Sequence, residues 1–209
     1  MLITELWKSN NESDWLNALN KYWDFVLPKN YDIEKKLNNL DTQFINMMEV
    51  EDFYNFLHDE YFKWKYTAPN RYVTTTAQLK KYQIYNSMHE LKNLHEQLFS
   101  FDKNNIKEGL RIATSIRGLG TAGASGLLAL LYPEFFATVD QFVVKALREI
   151  TYLEEIEEVF KINPDNISLK NGEILINIMK RKAADLNSNF KTDQWTPRKI
   201  DMILWTYGR

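Results

Sequence analysis

Apolar residues recur at intervals of three and four along most of the chain, which is the spacing of amphipathic helices. The pattern predicts helices over residues 14–26, 31–40, 51–65, 77–99, 106–116, 121–131, 141–150, 154–160 and 171–186 and a last helix from Pro197. Pro28 is expected to stop the first of these, while Thr196 followed by Pro197 is typical of a helix start. Only residues 71–75 and 167–169 are strand candidates. The pattern therefore predicts an all-α fold.

The chain shows no internal repeat, no low-complexity linker and no change of composition that would mark a domain boundary. Its 209 residues, 44% of them hydrophobic, are enough to bury a sizeable core. We therefore expect one globular domain, with a helical lobe over about 1–104 and a second lobe over about 105–209.

Several classes of protein are disfavoured by composition. The chain has no cysteine, so disulfides, thiolate metal sites and cysteine-ligated clusters are excluded. The three histidines are not spaced at i, i+4, and we expect no metal and no cofactor. The first twenty residues lack a secretory pattern, and the longest uncharged run, 118–133, falls short of the roughly 20 apolar residues of a membrane span. We expect a cytoplasmic protein, nucleoid-associated in a bacterium, that does not enter membranes.

Charge is distributed unevenly along the chain. The net charge is only −2, yet residues 61–92 hold six basic residues against one acidic residue. A basic surface on a near-neutral protein suits selective contact with nucleic acid. A helix with a solvated lysine face has the same composition, and both interpretations stay open.

The segment 115–147 carries the clearest candidate chemistry. Gly118 and Gly120 flank Leu119, which allows a tight turn and leaves free N–H groups where Thr121 begins a helix. Such a helix start suits a phosphate, because its first N–H groups lack internal partners and the helix dipole favours negative charge. A single carboxylate, Asp140, then opens the next helix. Both features also have a structural interpretation, as a loop between packed helices and as a simple helix N-cap.

In these residues the chain resembles the helix-hairpin-helix DNA glycosylase superfamily. Gly118-Leu119-Gly120 matches the hairpin, residues 121–131 the small-residue helix that follows it, and Val139-Asp140 the acid at the base pocket. The resemblance covers roughly residues 112–150. It implies a glycosylase-like all-α fold, double-stranded DNA as partner and Asp140 as the catalytic residue.

The resemblance also implies where DNA would bind. Hairpin backbone amides would hold one phosphate, with basic side chains nearby; the residues concerned are Arg117, Gly118, Leu119, Gly120, Thr121, Ala122 and Lys145. A second stretch interleaves basic and aromatic residues, which suits a groove or a flipped-base pocket; its candidates are Lys63, Trp64, Lys65 and Arg71. The same stretch is also typical of the end of a core helix, with its lysines reaching out to solvent.

The chain departs from the family in two respects. Bifunctional members carry a nucleophilic lysine after the hairpin, where this sequence has Thr121, Ala122 and Gly123, so no lyase activity is expected. Cluster-ligating cysteines are also missing. The expected function is that of a monofunctional base-excision glycosylase. The alternatives are a non-catalytic hairpin protein that binds DNA, and an unrelated all-α protein in which Asp140 only caps a helix.

Overall fold

The computed structural model describes residues 1–209 and contains helices and loops but no β-strand, which confirms the all-α class. The α-helices are α1 Ile3–Leu6, α2 Glu12–Asp24, α3 Tyr31–Asn38, α4 Thr42–Asn46, α5 Val50–Asn55, α6 Phe62–Lys65, α7 Pro69–Leu79, α8 Lys81–Ile84, α9 Met88–Ser100, α10 Ile106–Thr114, α11 Thr121–Leu131, α12 Gln141–Arg148, α13 Ile156–Lys161, α14 Leu169–Phe190 and α15 Pro197–Gly208. A 3₁₀ turn occupies Pro28–Asn30.

The predicted helix over 51–65 is continuous but not α-helical throughout. A π-helical segment, Phe56–Tyr61, joins α5 to α6. A π turn carries one more residue than an α turn, so the side chains after it are rotated by about 100° around the axis. This rotation sets the direction of the α6 side chains, among which Lys65 lies beside Gly126 of α11.

The single helix predicted over 77–99 is wrong, because the chain forms α7, α8 and α9 instead. Asn86 adopts a left-handed conformation, with φ of 50°. The N–H of Ser87 donates to the Tyr82 carbonyl at 2.8 Å, a bond that closes the end of a helix. The apolar spacing continues across this break, which is why the pattern alone does not reveal it.

Neither strand candidate forms a strand. Residues 71–75 lie inside α7, which begins at Pro69. Residues 167–169 lie at the start of α14, where the side chain of Ser168 accepts from the N–H of Asn171. Each segment has a helix-start signal that the apolar alternation does not show. Pro69 comes just before residues 71–75, and Ser168 lies within residues 167–169.

A contiguous cluster of 51 buried residues forms the core and runs from α1 to α15. The helix α11 lies at its centre, because every residue from Gly123 to Leu131 is buried. The first helices pack against the last ones: the Trp15 ring contacts the Trp195 ring edge-on at 6.2 Å, and the Lys182 ammonium donates to the Trp7 carbonyl. These contacts cross the expected boundary between 1–104 and 105–209, and that division stays a prediction.

Candidate functional site

The predicted hairpin connects α10 to α11. Its first glycine, Gly118, has a φ of +94°, a backbone conformation that residues with a side chain rarely adopt. A β-carbon at Gly118 would also lie 2.5 Å from the carbonyl oxygen of Thr75. Glycine is therefore required here by backbone conformation and by the close approach of α7.

Part of the hairpin backbone is already bonded within the protein. The Arg117 N–H donates to the Tyr82 hydroxyl at 3.1 Å, and the Tyr66 hydroxyl donates to the Gly118 carbonyl at 3.1 Å. Leu119 is buried as an apolar anchor. These contacts hold the turn in place but leave fewer amides for a phosphate than the sequence alone suggests.

The free amides lie at the start of α11. The N–H groups of Gly120, Thr121 and Ala122 donate to no acceptor in the protein, and the first turn holds no acidic residue. Gly120 is exposed, and a β-carbon there would meet nothing within 4 Å. This end of α11 is open to an anion.

The basic candidate side chains differ in whether they already form an ion pair within the protein. Arg117 pairs with Glu90 at 2.7 Å and stacks on the Tyr82 ring at 4.6 Å. Lys63 is exposed, and its Nζ is 3.5 Å from the Asp59 carboxylate. Arg71 and Lys145 are exposed and make no ion pair, with the Lys145 Nζ 5.3 Å from the Phe142 ring centroid.

Trp64 has a structural role. Its indole N–H donates to the Glu34 carboxylate at 2.6 Å, and the ring is half-buried against the core. The interpretation of residues 63–67 as the end of a core helix therefore holds for Trp64.

The small residues of α11 accommodate side chains from the end of the helix Val50–Lys65 and from Tyr66, which follows it. A β-carbon at Gly123 would collide with the Tyr66 hydroxyl, and one at Gly126 would lie 2.8 Å from the Tyr61 hydroxyl and 3.4 Å from the Lys65 Nζ. The glycines thus allow close packing against Tyr66 and Tyr61, as their structural interpretation predicts, and the Lys65 Nζ lies at ordinary contact distance beside Gly126.

Asp140 caps α12. Its Oδ1 accepts from the N–H groups of Phe142 at 2.9 Å and Val143 at 3.1 Å. Its Oδ2 accepts no hydrogen bond within the protein, and the residue is half-buried. One oxygen thus serves the helix while the other remains available.

The loop before Asp140 is anchored at consecutive residues. The Thr138 N–H donates to Asp201 at 2.6 Å, and the Val139 N–H donates to the Ser125 hydroxyl at 3.0 Å. Because α15 and α11 each hold one of these amides, the position of Asp140 is fixed by two core helices.

Behind this loop lies a buried polar network centred on Arg198. Its guanidinium contacts Asp201 at 2.5 Å, the Asn38 side-chain oxygen at 3.1 Å and Glu34 at 3.5 Å. Glu34 in turn accepts from the Tyr22 hydroxyl at 2.5 Å. Burial raises the pKa of Asp201, and the Arg198 guanidinium opposes that shift. The sequence shows only scattered charged residues at these positions and does not indicate that they meet.

Lys65 approaches Asp140 from α6. It is half-buried and forms neither an ion pair nor a hydrogen bond. Burial lowers the pKa of Lys65, while Asp140 and then Asp201 act to raise it. Of the predicted DNA-binding side chains, this one lies near the predicted catalytic acid.

Two surface clefts lie elsewhere on the molecule, and neither contains Asp140. One, of about 390 Å³, is lined by Met1, Asp14, Asn17, Ala18, Lys21 and Tyr207. The other, of about 350 Å³, is lined by Thr42, Leu131, Tyr132, Pro133, Glu134 and Phe135. The second cleft borders the loop that leads to Asp140 but ends before it.

Comparisons with protein-family models, with curated proteins and with solved structures found no match for the chain. The resemblance to the glycosylase superfamily therefore rests on residues 112–150 alone. No helix combines the length and apolar character that crossing a bilayer requires. No group of three or more histidine, aspartate or glutamate side chains is arranged to hold a metal ion.

Proposed function

We propose that the chain is a helix-hairpin-helix DNA-binding protein that releases a damaged base by hydrolysing its N-glycosidic bond. The observation that carries this proposal is the state of Asp140, which has one carboxylate oxygen free at the start of α12 and is held by an anchored loop. Free amides at the start of α11 support DNA binding through a phosphate.

The reaction suits a lone, positioned carboxylate. As the base leaves, positive charge develops on the sugar, and a fixed negative charge beside it lowers the barrier. The same carboxylate can accept a proton from an attacking water. Thr121, Ala122 and Gly123 cannot form a Schiff base, so the abasic strand is expected to remain uncut.

A non-catalytic DNA-binding role is the second candidate. It is supported by the free amides at the start of α11, which can hold a phosphate whether or not Asp140 acts on a base. In the third candidate the protein does not act on DNA, and Asp140 only caps α12 by accepting two backbone hydrogen bonds at its Oδ1.

The test is base release from a panel of duplexes that each carry one lesion, compared between wild type, Asp140→Asn and Asp41→Asn. Asp41 is a matched control, because it caps α4 through the N–H groups of Gln43 and Phe44 in the same way. Asparagine keeps most of the capping ability in both places. We expect base release by the wild type, at least a roughly 100-fold loss in Asp140→Asn, and no loss in Asp41→Asn.

The three candidate functions give different results in this experiment. DNA binding without base release by the wild type would support the non-catalytic role. The absence of both binding and base release would support the unrelated all-α protein.

A further inference from the structure

The position of Lys65 depends on two features of the fold. The π-helical segment Phe56–Tyr61 rotates the residues after it, and the chain then enters α6 with Lys65 in its last position. Lys65 lies along α11, with its Nζ 3.4 Å from where a β-carbon of Gly126 would be. π segments of this kind often occur at functional sites.

Lys65 and Asp140 are both unpaired at their functional atoms. The Lys65 Nζ and the Asp140 Oδ2 have no hydrogen-bond partner, yet neither is sealed from solvent. Because both atoms reach solvent, each can bond to water or to a bound molecule. Both groups approach the same part of α11, because the Lys65 Nζ lies beside Gly126 and the hydroxyl of Ser125 holds the Val139 N–H next to Asp140. They do not form a direct ion pair.

The surroundings of the Lys65 ammonium are charged on several sides. Asp140 lies before α12, Asp201 and Arg198 lie on α15, and Glu34 lies on α3. Three carboxylates and one guanidinium therefore face it, and burial acts against its charge. Burial therefore lowers the pKa of the ammonium, while the carboxylates, Asp140 first, act to keep it charged.

We infer that Lys65 is a second catalytic residue, a general acid that protonates the departing base while Asp140 serves the sugar. This inference rests on the proposed function. It gives Lys65 a chemical role in addition to the DNA contact that its place in the basic and aromatic stretch predicts.

The step balances as a hydrolysis. The N-glycosidic bond breaks with its electron pair leaving on the base, and a proton moves from the Lys65 Nζ to that base. Water forms the new bond to the sugar carbon, and its proton passes to the Asp140 carboxylate. Exchange with solvent then returns the proton to Lys65 and removes it from Asp140, so no further reactant is needed.

The first experiment measures the amine without any substrate. Reductive methylation with ¹³C-formaldehyde labels the lysines, and NMR follows each resonance with pH; the signal absent in Lys65→Met is that of Lys65. We expect it to titrate below the ordinary 10.5, and at still lower pH in Asp140→Asn, which removes a supporting charge. Titration together with the exposed lysines would overturn the inference.

The second experiment measures single-turnover base release against pH for wild type, Lys65→Met and Lys65→Arg. Arginine keeps the charge but does not give up a proton near neutral pH. We expect both variants to lose at least about 100-fold in rate. The wild-type rate of base release should fall about tenfold per pH unit once the pH exceeds the pKa measured for Lys65. Lys107→Met, an exposed lysine on α10, is the control and should match the wild type.

The remaining outcomes separate this inference from the proposed function. Base release by no protein, wild type included, would overturn both. Equal release by wild type and Lys65→Met, or near-full activity of Lys65→Arg, would overturn the acid role and leave the proposed function standing. A protein–DNA adduct that is trapped by borohydride and lost in Lys65→Met would show a nucleophile in place of an acid.

Discussion

The carboxylate of Asp201 accepts a hydrogen bond from the backbone N–H of Thr138 at 2.6 Å, two residues before Asp140. Its other oxygen bonds to the guanidinium of Arg198 at 2.5 Å. A residue near the C-terminal end of the chain therefore positions the loop that presents the candidate catalytic acid. One buried side chain therefore both pairs with Arg198 in the core and holds the loop before Asp140.

Replacing Asp201 by alanine tests this arrangement. The change leaves the Arg198 charge buried without its nearest partner and the Thr138 N–H without an acceptor. We expect a loss of about 3–5 kcal/mol in the free energy of unfolding, measured by urea denaturation. Glu108→Gln, which breaks the exposed ion pair with Arg111, should change the free energy of unfolding little. A similarly small change in Asp201→Ala would mean that the network does not hold the loop.

The two hairpin glycines should respond differently to alanine. Gly118→Ala forces a side chain into the left-handed region and towards the Thr75 carbonyl, and we expect a loss of more than about 1 kcal/mol in unfolding free energy. Gly120→Ala places a β-carbon in open space, and the change should be within about 0.5 kcal/mol. Thermal denaturation of both variants measures the difference. Equal losses would contradict the distinct roles of the two residues.

The region around the hairpin was the most predictable from sequence. The helices that flank it, the left-handed Gly118 and the capping role of Asp140 all depend on residues close together in the chain. Local sequence fixes local backbone, so spacing and residue type were sufficient there.

The buried network behind the Asp140 loop could not be predicted in this way. Arg198 and Asn38 lie 160 residues apart in sequence, and nothing in the pattern around either residue indicates the other. The π segment before Lys65 is equally hidden, since one extra residue in a turn leaves the apolar spacing almost unchanged. Tertiary packing decides both features, and with them the position of Lys65.

DNA binding should depend steeply on salt, because each phosphate contact releases counterions. We expect Arg71→Ala and Lys145→Ala each to reduce the slope of log affinity against log salt by about one, since both side chains are exposed and unpaired. Gly120→Pro removes an amide that the fold does not use, and it should weaken binding to all sequences alike. Fluorescence anisotropy with an unmodified duplex measures these effects. A folded Gly120→Pro variant that binds as well as the wild type would exclude the hairpin from the interface.

The stability of Lys65→Met should differ from that of an ordinary core substitution. Burial lowers the pKa of Lys65, so the unfolded chain binds its proton more tightly than the folded chain does. The charged lysine therefore reduces the free energy of unfolding. This reduction is complete at pH values below the pKa that Lys65 has in the folded protein, and it declines as pH rises from there towards the ordinary value of 10.5. Methionine removes the charge and keeps the apolar stem over Gly126. The variant should therefore be more stable than the wild type at pH 7, and the difference should shrink as the pH approaches 10, in urea titrations at each pH.

Lys107→Met, on the exposed face of α10, is the control and should show no such trend with pH. A loss of stability in Lys65→Met at pH 7 would mean that the ammonium stabilises the fold, and Lys65 would then be a structural residue.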